Sequence, residues 1–273
     1  MGMQHPHHIL SGTALVTGAS SGMGAEFARQ LAAMGIDLAL VSNRGAELEG
    51  VAGDIRARFG VTVRTLCADL ARNDAASEVY GWCREEGIRP DILINNAGMF
   101  FMEYLSPALM DKAQAMMTLH METVTGLCIL FGADMKERGS GRILNMSSMT
   151  ASIPAPGIAI YSASKAYLKS FGKSLSYEMR PFGVSVTTVC PAAVDTGLYP
   201  LGDRLRKFLK SIGIIRTPEH LVRRALRALA RGRRTLAPGI VNALLPPIIA
   251  ILPNRLIDRL GMRWIYRRPT SDR

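Results

Sequence analysis

The 273-residue chain has room for one large α/β domain or two small ones, and its 48% hydrophobic content excludes a disordered chain. The net charge of +11 is uneven, with residues 201–273 carrying +13 and residues 1–200 carrying −2, so the basic quarter points to an anionic partner or to a solvated basic surface. The wide spacing of Cys67, Cys83, Cys128 and Cys190 excludes a metal-ligand pattern and reads as four free thiols in a reducing compartment.

Met1 to Leu10 holds three histidines and no long apolar run, so no secretory signal is expected there. Thr13 to Thr17 is a short β-rich apolar run, read as the first strand, and a glycine-rich turn leads into helical spacing over Ala25–Ala32. Strands are expected at Asp37–Val41, Val61–Leu66, Asp91–Asn95, Arg142–Met146 and Val184–Val189. Helices are expected at Ala46–Phe59, Ala75–Glu86, Pro107–Arg138 and from about Ile158 to Met179. Thr217 and Pro218 suit the N-cap and first turn of a further helix ending near Gly232, and Thr235–Ala237 reads as an edge strand. A short helix is placed around Asp203–Lys210. Short apolar strands alternating with helices predict a doubly wound parallel sheet of the Rossmann type. The predicted organisation is a single domain over residues 9–238, followed by a basic, apolar extension over 239–273.

Three stretches carry chemistry. Gly18, Ser20, Ser21, Gly22, Met23 and Gly24 lie where the first strand hands over to a helix. A helix N-terminus offers unpaired N–H groups and a positive dipole, so this turn suits a pyrophosphate. Glycines there allow close approach of the ligand and close packing of the helix on the strand. At the end of the second strand, NAD sites usually place an acid on the ribose hydroxyl. Here the chain reads Ser42-Asn43-Arg44, while Asp37 lies at the strand's other end. An arginine with small polar neighbours suits a 2′-phosphate, so Asn43 and Arg44 predict NADP(H).

Tyr161 and Lys165 stand at i and i+4, on one helical face with Cβ atoms about 5–6 Å apart. A free tyrosine titrates near about 10, and a lysine cation one turn away favours the phenolate. The pair therefore reads as a general acid/base, with the Ser148 hydroxyl available to a bound carbonyl oxygen. A plain surface helix carrying a Tyr and a Lys is the alternative.

Thr17-Gly-Ala-Ser-Ser-Gly-Met-Gly24, Asn95-Asn-Ala-Gly98, Ser148 and Tyr161-Ser-Ala-Ser-Lys165 together resemble, in order and spacing, the short-chain dehydrogenase/reductase family over about Ile9 to Leu236. The resemblance implies a seven-stranded parallel sheet, a nicotinamide cofactor and assembly into homodimers or homotetramers. It implies that Tyr161 is the acid/base, that Lys165 lowers its pKa and holds the nicotinamide ribose, and that Ser148 orients the carbonyl. It also implies that Asn95, Ala97 and Gly98 line the adenosine and ribose side, that Asp69 and Leu70 contact the adenine, and that Pro191, Val194 and Thr196 lie by the nicotinamide. Two departures stand out. His120 occupies the place of an asparagine that shapes a proton relay in many members; its ring carries both donor and acceptor, and the other reading is a histidine satisfied by a backbone group. Ala192 stands where a glycine usually follows the proline.

Met99-Phe100-Phe101-Met102 and Met149 to Pro156 are apolar, which favours a 3-oxoacyl or steroid-like substrate over a sugar; the methionines are otherwise core gap-fillers. No nucleic-acid partner and no metal is expected. Ile240–Leu252, interrupted by Pro246 and Pro247 and followed by arginines, is too short to span a bilayer; it reads as a lid, a dimer contact or a membrane-surface segment. A cytoplasmic location is expected, with membrane association left open. The competing reading is a non-catalytic NADP-binding protein whose basic extension is an interaction surface.

Overall fold

The structure, a computed structural model, describes residues 10–153, 157–192, 217–239 and Arg255. In chain order its elements are β1 (Thr13–Thr17), α1 (Gly22–Ala32), β2 (Asp37–Ser42), α2 (Gly45–Phe59), β3 (Val63–Cys67), α3 (Ala75–Glu85) and β4 (Ile92–Asn95). These are followed by α4 (Met110–Met117), α5 (Thr123–Glu137), β5 (Gly141–Met146), α6 (Ala159–Met179), β6 (Val184–Val189), α7 (Pro218–Ala230) and β7 (Thr235–Leu236).

The seven strands form one parallel sheet in the order β3-β2-β1-β4-β5-β6-β7. Leu15 of β1 pairs with Ala39 on one side and Leu93 on the other. Because the central strands are covered on both faces, they read as continuous apolar runs rather than alternating ones. One face is covered by α1, α2 and α7, through Phe27, Leu31, Leu48, Ile55, Leu226 and Leu229. The other is covered by α3, α5 and α6, through Val79, Leu127, Phe131, Leu168 and Met179. The strand order reverses between β1 and β4, and the crevice at such a switch point, beyond the strands' carboxyl ends, is where ligands bind in sheets of this kind.

Local signals place the element ends. Gly60 closes α2 in the left-handed conformation, at φ 65°. Thr217 caps α7 by accepting the His220 N–H, and Pro218 occupies the first turn. The largest departure lies in the helix expected over 107–138. It is a 3₁₀ turn at Pro107–Leu109, then α4, a π-helical turn at Thr118–Glu122 and α5. The wide turn places Thr118 and His120 in the interior, which a 3.6-residue period does not anticipate. Pro107–Glu137 is long and apolar enough to cross a membrane by length and composition. Its Val124, Leu127 and Phe131 pack on the sheet, which identifies it as a core helix of this fold. The helix expected at 203–210, Val194, Thr196 and all of 239–273 except Gly239 and Arg255 lie outside the described residues.

Candidate active site

A cavity of about 610 Å³ opens at the carboxyl ends of β1 to β6. Its walls bring together Gly18, Ser20, Ser21, Gly22, Met23, Asn43, Arg44, Asp69, Leu70, Ala97, Gly98, Ser148, Tyr161, Lys165, Pro191 and Ala192, which come from seven separate stretches of sequence.

At the β1–α1 turn, Gly18 has φ 67° and its N–H donates to Val41 O at 2.8 Å, tying the turn to β2. Gly24 does not line the cavity. A Cβ there would stand 2.0 Å from Gly18 O and 2.7 Å from Asn96 Nδ2, so this glycine lets the helix start close against the turn. Arg44 reaches across the cavity mouth; its Nε and Nη2 donate to Ser20 Oγ at 3.2 and 3.0 Å, and Nη2 also donates to Ser21 Oγ. Ser42 Oγ donates to the same Ser20 Oγ at 2.8 Å. Asp37 lies at the far end of β2, where its Oδ1 accepts the Thr62 N–H at 2.8 Å. The residues present fit a dinucleotide: a glycine cradle at a helix start, with a guanidinium and two hydroxyls beside it and no acid ending β2.

Asn95 does not line the cavity. Its Nδ2 donates to Asn145 Oδ1 at 2.8 Å and it is buried behind the sheet end. Successive strand residues point to opposite faces, so the neighbouring Asn96 is the one that faces the cavity. Asn96 also donates through Nδ2 to Thr17 O at 3.0 Å. Thr17 Oγ1 accepts the N–H groups of both Asn96 and Ala97, at 3.0 and 3.1 Å, and thereby fixes the turn that leads to Gly98. Sequence reasoning missed Asn96, Ser42 and the bracing role of Thr17; strand alternation was the available signal for the first.

Tyr161 and Lys165 lie one turn apart near the start of α6, both buried yet lining the cavity. Lys165 Nζ stands 5.6 Å from the Tyr161 ring centroid and donates to Met146 O at 3.1 Å. Burial pushes the Lys165 ammonium down to about 8. Ser147 Oγ donates to Lys165 O at 2.7 Å, clamping β5 to α6. Ser148 begins a 3₁₀ turn, and its Oγ accepts the Thr150 N–H at 3.2 Å. Phe100 meets the Tyr161 ring edge-on at 5.0 Å between centroids.

His120 does not line the cavity. It is 0% exposed, with Nε2 accepting the Met99 N–H at 3.1 Å and Nδ1 at 2.9 Å from Ser164 Oγ. Since Nε2 is an acceptor, the ring proton sits on Nδ1 and is donated to Ser164 Oγ, which donates in turn to Tyr161 O at 2.8 Å. Burial, then the Lys165 charge, hold the His120 pKa well below its usual 6.5, so the ring is neutral.

A family model described as short chain dehydrogenase matches residues 12–201. The chain belongs to the short-chain dehydrogenase/reductase family: it is an oxidoreductase of the class that acts on CH–OH and C=O groups with a nicotinamide cofactor. Among curated relatives it is 32% identical to the very-long-chain 3-oxoacyl-CoA reductase of Homo sapiens, over 93% of this chain and 76% of that protein. It is 30% identical to the 17-beta-hydroxysteroid dehydrogenase type 3 of Mus musculus, over 90% and 77%. Among solved structures, a short-chain dehydrogenase from Sphingobium yanoikuyae in complex with NADPH is similar at a TM-score of 0.76 and 29% identity, covering 95% of this chain and 98% of that one.

Proposed function

We propose that the protein is an NADP(H)-dependent oxidoreductase that interconverts a ketone and a secondary alcohol on an apolar substrate. The observation that carries this reading is the meeting of Ser148, Tyr161 and Lys165 at one end of the cavity whose other end is Arg44 on Ser20 and Ser21. A nicotinamide held there would supply the hydride-transfer chemistry at the carbonyl or alcohol carbon. Tyr161 gives its phenolic proton to the carbonyl oxygen in reduction and takes it back in oxidation. The Lys165 cation lowers the cost of the phenolate, and the Ser148 hydroxyl donates to the carbonyl oxygen and orients it. Gly18 to Met23 would hold the pyrophosphate, and Arg44 with Ser20 and Ser21 would take the 2′-phosphate through charge-assisted bonds.

The apolar substrate is supported by the lip beside Tyr161. Met99 and Phe100 stand at the reacting end, and Met102 and Leu105 are 53% and 70% exposed beyond them. Glu103 N–H donates to Gly157 O at 2.9 Å, so this lip is tied to the loop that leads into α6. The very-long-chain 3-oxoacyl-CoA reductase and the 17-beta-hydroxysteroid dehydrogenase named above supply, by name, the two substrate classes to try first. The test is NADPH oxidation, followed by absorbance, with a panel of 3-oxoacyl thioesters, steroid ketones and sugar ketones. Turnover of the apolar ketones and its loss in Tyr161→Phe, with NADPH still bound, is expected. Turnover of sugars alone, or full activity in Tyr161→Phe, overturns the reading.

A further inference from the structure

At the opposite end of the sheet a second cavity, of about 900 Å³, opens where β1, β4, β5, β6 and β7 begin. It shares no residue with the dinucleotide crevice. Arg142 at the start of β5, Arg180 after α6, and Arg231, Arg233 and Arg234 in the turn between α7 and β7 all line it. Asp91 is the one carboxylate in its walls, and its Oδ2 already accepts the Thr13 N–H at 3.0 Å. Among the described residues, Arg180, Arg231, Arg233 and Arg234 enter no ion pair.

Two of the five guanidiniums are braced. Arg142 Nη1 donates to Leu229 O and Ala230 O at 3.2 and 3.1 Å, fastening the end of α7 to β5. Arg234 lies over the Tyr177 ring at 4.4 Å. In the same cavity Ser185 Oγ is buried and has no hydrogen-bond partner among the described residues. Five like charges gathered in one concavity repel one another, and a buried hydroxyl without a partner carries a further cost. A ligand with several anionic oxygens relieves both, and planar guanidiniums bind phosphate through paired N–H bonds.

We infer that this cavity binds a phosphate-bearing ligand, a free polyphosphate ester or the phosphomonoester headgroup of a lipid, at a site separate from the active centre. The inference uses none of the residues of the proposed catalytic reading, so either one stands without the other.

The test uses the full chain with the crevice saturated by NADP+. Inorganic tripolyphosphate is titrated calorimetrically, and sedimentation is followed with phosphatidylcholine vesicles with and without phosphatidic acid. Saturable tripolyphosphate binding, or pelleting that requires phosphatidic acid, is expected. The exposed pair Arg231→Gln/Arg233→Gln, with an unchanged melting temperature, is expected to weaken that binding by about a hundredfold, roughly tenfold per guanidinium removed. The first arm identifies a soluble ligand and the second a headgroup. Saturable binding in neither arm overturns the inference. So does wild-type binding by the double variant, or loss of tripolyphosphate binding in Arg44→Ala alone, which places the anion in the crevice.

Discussion

His120 Nε2 accepts the backbone N–H of Met99 at 3.1 Å, so the π-helical turn and the lip of the cavity are joined by one part-buried hydrogen bond. The other ring nitrogen continues through Ser164 to the backbone of Tyr161. With both nitrogens engaged, the ring is a brace between the lip and α6. That arrangement matches the backbone-satisfied alternative more closely than the proton-path one.

His120→Ala leaves a cavity and takes the acceptor from the part-buried Met99 N–H, while the Ser164 hydroxyl keeps Tyr161 O as its acceptor. It is expected to lower stability by roughly 2–4 kcal/mol, measured by chemical denaturation. Because the folded pKa of His120 lies below the unfolded 6.5, its contribution is present above pH 6.5 and declines as the pH falls below that value. The stability gap between wild type and His120→Asn is therefore expected to shift against the wild type on acidification. A gap that is flat from neutral to acid pH contradicts a neutral buried ring.

Lys165 gives a prediction of the same form on the alkaline side. Its folded pKa of about 8 lies below the ordinary 10.5, so between these values the unfolded chain binds more protons and stability rises with pH. The Lys165 contribution is most favourable above pH 10.5 and declines as the pH falls through about 8. The shift corresponds to about 3 kcal/mol. Urea midpoints of the cofactor-free wild type and Lys165→Met are expected to converge or cross toward the wild type as pH rises through this window. Parallel curves count against a buried ammonium.

Gly24→Ala drives a methyl group into the Gly18 carbonyl, which is backbone and has no rotamer by which to move aside. A loss of roughly 1–3 kcal/mol is expected from overpacking, with weakened NADPH binding because the same turn lines the crevice. Gly50, whose added Cβ meets nothing within 4 Å, is the control, and Gly50→Ala is expected to be neutral or stabilising. Thermal melts with and without NADPH separate the two sites.

Arg44→Ala is expected to raise the KM for NADPH by about tenfold or more and to leave that for NADH nearly unchanged, since it removes charge-assisted bonds available only to the 2′-phosphate. Equal losses with both cofactors place Arg44 in general scaffolding, and a wild type that prefers NADH refutes the assigned role.

The order of strands and helices, the glycine turn and the Tyr161/Lys165 pair were legible in the sequence. Each is a local matter: apolar runs flanked by turn residues, a helix start, a spacing of four. The absence of an acid after β2 was legible for the same reason. Folding decided what depends on facing. It put Asn96 rather than Asn95 on the crevice, because the last residue of a strand and its successor point opposite ways. It turned His120 inward on a π-helical turn and matched both nitrogens to partners 21 and 44 residues away. It also gathered arginines from three separate segments at the amino ends of the strands, which their positions in the chain do not foretell. Sequence fixes what each stretch is able to form, through propensity and period. Which side chains share a cavity depends on strand pairing between distant segments, and that is set only when the sheet closes on its helices.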